Sequence, residues 1–164
     1  MDCWLCDQNQ YTWLEHQDKR VCRLVYEDKY TYVIVPRESH VKHHLLVVLK
    51  AENGAHKRGL IECTADDLTY LGTTISQWCA MLKRCHYDTV YAGCYSDAGH
   101  VHFHLIPLNH ATDKGFLGSA MQWLSEKERL SAKRPFASMV DEEKRARLDD
   151  VASLVSTLKG MIEG

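Results

Sequence analysis

Three histidines alternate with apolar residues in one short run, His100-Val101-His102-Phe103-His104-Leu105-Ile106-Pro107. A β-strand sends successive side chains to opposite faces, so a period of two marks a strand with one face buried. As a strand, this run sets the imidazoles on one face about 6.5 Å apart. Val101, Phe103 and Leu105 then line the other face and need a core to pack against. Three nitrogen bases held rigidly at a surface suit a metal or phosphate chemistry. The plain alternative is a solvent-facing strand that merely alternates, and three imidazoles within five residues argue against it.

The rest of the chain bounds what surrounds that strand. Its 164 residues suffice for one domain with a substantial core, and 45% hydrophobic content fits a globular chain. A net charge of −2 suits neither a nucleic-acid-coating surface nor a polybasic membrane anchor. No run approaches the roughly 18 apolar residues of a membrane helix. Met1-Asp2-Cys3-Trp4 does not open a signal peptide, so a cytoplasmic protein is expected. Seven cysteines, an odd and scattered set, read as reduced thiols rather than a disulfide framework.

Val21–Tyr26, Thr31–Val35 and His44–Leu49 read as neighbouring antiparallel strands. Thr64, followed by Asp66 and Asp67, opens a helix to about Arg84, with Leu68, Leu71, Ile75, Trp78 and Leu82 as its apolar stripe. Val90–Tyr95 is a further strand, and Ser96-Asp97-Ala98-Gly99 delivers the chain into the histidine run. Helical segments follow at 119–133 and 141–162, the latter with a stripe of Leu148, Val151, Val155, Leu158 and Ile162. The expected fold is α+β: an antiparallel sheet, one central helix and a helical C-terminal extension.

Cys3 and Cys6 have the spacing of a zinc ligand pair or a redox dithiol. The redox reading needs a preceding strand that the chain does not offer, whereas zinc needs two more ligands. The histidine run admits two chemistries. One is a catalytic metal on His102 and His104; the other is attack on phosphorus by a neutral imidazole.

His-x-His-x-His followed by two apolar residues resembles the signature of the histidine-triad superfamily of nucleotide hydrolases and nucleotidyl transferases. Cys3-Trp4-Leu5-Cys6 resembles the Cys-x-x-Cys of its zinc-bearing members. Residues 41–50 resemble their Gly-His-x-Leu-Val-Ile-Pro-Lys strand, with His44 at the histidine. The resemblance implies a structural Zn2+ on Cys3, Cys6, His56 and His100. It implies His102 as nucleophile, with a covalent nucleotidyl intermediate, and His104 as a phosphate contact. Ser96 and Gly99 would bind phosphate, while Leu5 and Ile34 would line a base pocket. His44 would brace the site; His16, His40, His43, His86 and His110 are expected at the surface.

On this resemblance, residues 1–110 form the nucleotide-binding catalytic domain and 111–164 a helical extension packed on it. Dinucleoside polyphosphates and nucleoside phosphoramidates are the implied substrates, and a homodimer is the implied assembly. A non-catalytic nucleotide-binding protein stands as a further alternative. The chain departs from the pattern twice. Gly99 abuts His100 directly, without the usual Gln and hydroxyl before the triad, and Pro36 stands where an Asp or Asn usually contacts ribose.

Overall fold

The uninterrupted apolar run Leu45–Leu49 becomes a strand buried on both faces, and the alternating run becomes a strand with its histidines on one face and its core residues on the other. The structure, a computed structural model, describes residues 3, 5–6, 12–37, 41–51, 57–94, 99–109, 136 and 139–163. Its strands are β1 (Trp13–His16), β2 (Lys19–Cys22), β3 (Leu24–Glu27), β4 (Thr31–Ile34), β5 (Leu45–Leu49), β6 (Thr89–Cys94) and β7 (His102–Leu108). Two helices, α1 (Ala65–Arg84) and α2 (Asp141–Glu163), complete the described α+β fold. β3-β4-β5-β7-β6 form an antiparallel five-stranded sheet, and β1 and β2 form a separate hairpin.

Register decides which residues share a face. Val33 pairs with Val47 and Val47 with Phe103, so this row points into the main core with Leu45, Leu49 and Leu105. Tyr32–Val48–His102 and Ile34–Leu46–His104 form the alternate rows on the opposite face. There Leu5, Tyr32, Ile34, Leu46 and Val48 make a second, smaller apolar cluster. β7 therefore carries its core side chains and its histidines on opposite faces, as the alternation requires.

Both helices cover the core face. Thr64 caps α1: its hydroxyl accepts from the Asp67 N–H (3.1 Å), and the Asp67 carboxylate accepts from the Thr64 N–H (2.7 Å). Leu71, Trp78 and Leu82 are buried with Thr74, whereas Leu68 is 45% exposed. The expected stripe is corrected at that first turn, where Leu68 faces solvent. On α2, Leu148, Val151, Val155 and Leu158 join the same core, and only Ile162 of the expected stripe is exposed.

The expected strand at Val21–Tyr26 is two strands in two sheets. Arg23 divides them: its N–H donates to the Thr12 carbonyl (2.6 Å), while its carbonyl accepts from the Val35 N–H (3.0 Å). Its buried guanidinium donates from Nε to the Val35 carbonyl (2.8 Å) and fixes the crossing. The expected helix at 119–133 lies outside the described residues. No helix among the described residues is long and apolar enough to cross a membrane.

Candidate functional site

β7 begins at His102, and His100 and Val101 lead into it while keeping the alternation. His100 is 1% exposed, and Nε2–H donates to the Leu49 carbonyl (2.6 Å). In a neutral ring this leaves the lone pair on Nδ1. Nδ1 faces Cys3 Sγ at 3.4 Å and Cys6 Sγ at 3.3 Å, and the three donor atoms lie within 4.8 Å of one another.

Tetrahedral zinc with ordinary Zn–S and Zn–N bonds sets its N···S ligand edges at about 3.6 Å. The cluster is close to that spacing. The bond from Nε2 to a backbone carbonyl is also the usual means of orienting a metal-binding imidazole. Burial and the neighbouring Cys3 push the Cys6 thiol up to about 11, and a bound dication reverses that preference. His56, the remaining expected ligand, lies outside the described residues. Lys57 directly follows it in sequence, and the Lys57 carbonyl accepts from the N–H of Val101 (2.8 Å), next to His100.

A chain of imidazoles starts one residue further on. His102 Nδ1–H donates to the His100 carbonyl (2.8 Å), which leaves Nε2 unprotonated in a neutral ring. His104 Nε2 lies 3.1 Å from His102 Nε2, so His104 is the donor there. Its Nδ1 then accepts from His44 Nε2–H at 2.9 Å. Three rings thus have their tautomers set by one backbone carbonyl. His44 and His102 are buried at 0% and 1% exposure, and His104 is half-buried.

Among the described residues, His44, His102 and His104 do not bring one donor atom each within 4.8 Å of one another, as a three-ligand zinc site ordinarily would. Leu5 and Ile34 share the histidine face, at 1% and 0% exposure, and the Leu5 carbonyl accepts from the Tyr32 hydroxyl (2.6 Å). Gly99 is exposed with φ +60°, a left-handed conformation that glycine adopts without strain. Ser96 lies outside the described residues.

Two expectations about other histidines are corrected. His43 is half-buried, with Nδ1 2.7 Å from the Tyr87 hydroxyl. His16 packs edge-on to Phe136, with Nε2 3.1 Å from Asp141 Oδ1. Neither partner adjoins its histidine in sequence, so no local pattern signals them. His86 is exposed as expected, whereas His40 and His110 lie outside the described residues. Pro36 is buried, and its carbonyl and that of Arg37 accept from Arg147 of α2 at 2.8 and 2.9 Å. α2 therefore grips the connection that leads from β4 to His44.

No family model and no curated relative matches the chain. Solved structures do. A histidine triad nucleotide-binding protein from Candida albicans aligns with TM-score 0.51 and 19% identity over 77% of this chain and 96% of that one. A zinc-bound histidine triad family protein from Mycobacterium smegmatis aligns with TM-score 0.50 and 14% identity over 84% and 86%. The NitFhit protein of C. elegans aligns with TM-score 0.55 and 16% identity over 92% of this chain and 30% of that one. At these identities the likeness establishes the fold alone.

Proposed function

We propose that this chain, which has the histidine-triad fold, is a nucleotide hydrolase or nucleotidyl transferase working through a nucleotidyl–His102 intermediate. The observation that carries the reading is the relay from the His100 carbonyl through His102 and His104 to His44. It presents an unprotonated nitrogen backed by a fixed acceptor, as a nucleophilic imidazole requires.

His102 Nε2 attacks the α-phosphorus of a nucleotide. The P–N bond forms as the bond to the leaving group breaks, and the His100 carbonyl stabilises the positive charge that develops on the ring. The N–H that His104 directs at Nε2 in the free protein turns to a phosphate oxygen once the phosphoryl group enters between them. Water or another acceptor then displaces His102. Gly99 and Ser96 supply phosphate contacts, and Leu5 and Ile34 form the buried apolar layer behind the histidine face. The Candida albicans protein of the same fold is a nucleotide-binding protein, which accords with such a ligand.

Cys3, Cys6, His100 and His56 hold a structural zinc in this reading. A closed Cys2His2 site leaves no position for water, so the ion ties the N-terminal segment to the active strand. We place residues 1–110 in the catalytic unit and 111–164 in an extension packed on it. A homodimer, as the family resemblance implies, and a cytoplasmic location accompany the proposal as expectations. Incubation with a panel of dinucleoside polyphosphates and nucleoside phosphoramidates tests it by product chromatography. The proposal predicts release of a nucleoside monophosphate from at least one substrate; tight nucleotide binding with no product from any would instead support a non-catalytic binding protein.

A further inference from the structure

A groove of about 660 Å³ lies away from the histidine relay, between residues 41–43, the end of α1 and one face of α2. That volume is within the range of small-molecule sites, roughly 300–1,000 Å³. Its polar wall comprises Lys42, His43, Arg147, Asp150, Ser153 and Thr157. Val41 and Leu154 supply apolar surface. With His43 neutral, two cations stand against one carboxylate. The Lys42 ammonium makes no ion pair or hydrogen bond among the described residues, whereas Arg147 is engaged with the Pro36 and Arg37 carbonyls.

His43 connects this groove to the relay. It adopts φ +62°, a left-handed conformation uncommon for residues other than glycine. The Tyr87 hydroxyl holds its ring at 2.7 Å. The next residue is His44, whose ring meets His104 on the other face of the sheet at 2.9 Å. One peptide unit thus carries one imidazole into the groove wall and the next into the relay. A left-handed residue in the wall of a groove is a point at which a ligand can move the backbone.

We propose that this groove is a second ligand site, suited to a small phosphate monoester with a hydroxylated body, and that its occupancy is relayed through His43 and His44 to His104. Lys42 meets the phosphate, with the Ser153 hydroxyl as a further donor; the Thr157 hydroxyl, which donates to the Ser153 carbonyl (2.9 Å), offers only its lone pairs to a ligand. Asp150 accepts from ligand hydroxyls, and Val41 and Leu154 pack against the carbon skeleton. Binding at the groove stands independently of the catalytic reading; only the significance of the relay for turnover rests on it.

Histidine-selective NMR of the full-length protein tests both parts, with ribose 5-phosphate as probe and ribose as control. The phosphate ester should shift the His43 and His44 ring signals together and saturably, and ribose should shift neither. Lys42→Glu should weaken binding at least tenfold. Ser153→Trp, at an exposed helical position where the indole fills the groove, should abolish the His43 response. If only His102 and His104 respond, or Lys42→Glu binds as the wild type does, the groove is not a phosphate site. Movement of His43 with His44 unchanged overturns the relay. These signals are read without turnover, so an inactive protein leaves the result interpretable.

Discussion

His44 Nε2 lies 2.9 Å from Nδ1 of His104, a residue sixty positions away in sequence. The contact exists because β5 and β7 are hydrogen-bonded neighbours with Leu46 opposite His104. His44 has the same parity as Leu46 and so falls on the same face. It donates to Nδ1 and so reinforces the tautomer, set through His102 by the His100 carbonyl, that keeps the His104 proton on Nε2.

Replacing His44 with Phe should keep the fold and lower kcat/KM. Removing one oriented hydrogen bond is worth about 1–3 kcal/mol, or roughly 5-fold to 160-fold in rate. Steady-state kinetics on whichever nucleotide substrate the panel identifies, together with circular dichroism, checks this. A loss of structure equal to the loss of rate would mean that His44 is only a core residue.

The Cys3–Cys6–His100 cluster should hold about one zinc per chain. Elemental analysis of freshly purified, reduced protein reads this directly. Cys6→Ser and His56→Ala should each lower the zinc content, while Cys22→Ser should leave it unchanged. Zinc-free protein that keeps its melting temperature would remove the ion from the account.

Leu148 is fully buried on α2, in the same core as Val47 and Leu105. Leu148→Ala should therefore destabilise the whole molecule, by about 2–5 kcal/mol. Urea unfolding followed by both tryptophan fluorescence and far-UV circular dichroism should show one coincident transition shifted by that amount. Two separate transitions would mean that α2 is an independent appendage.

Asp28 organises the β3–β4 turn. Partial burial raises its pKa, but the backbone N–H groups of Thr31 (2.6 Å) and Tyr30 (2.8 Å), with the Tyr26 and Thr31 hydroxyls, outweigh that and hold it below the ordinary carboxylate value. A lowered folded pKa gives stability that is complete above the unfolded value near about 4. That stability is lost as pH falls through the folded value. Asp28→Ala should cost about 1–3 kcal/mol at neutral pH, and the difference from wild type should shrink in acid. A cost that stays constant from pH 7 to pH 2 would place the effect in packing rather than in the charge.

Local chemistry made much of this legible in the sequence. Alternation located the histidine face, and Thr64 with Asp67 marked the helix start that the reciprocal cap now explains. The stripe on α2 was visible because four of its apolar residues meet one core. What escaped depends on distant partners. The hairpin β1–β2 has no strong alternation and is stabilised by α2, through Lys19 with Asp149 and Gln17 with Asp141. The break at Arg23 needs the Thr12 and Val35 backbones to show itself. Neither the Tyr87 partner of His43 nor Arg147's grip on Pro36 has any local signature, since each joins elements brought together only by the folded sheet and helices.

The central claim is that His102 forms a covalent bond to phosphorus. Rapid acid-free quench of the protein with an adenylated and a guanylated substrate, followed by peptide mass spectrometry, tests it most directly. A nucleotidyl adduct should appear on His102, absent from His102→Ala and present at reduced occupancy in His44→Phe. Product formed by His102→Ala at the wild-type rate, or an adduct on any other residue with His102 unmodified, would contradict the mechanism.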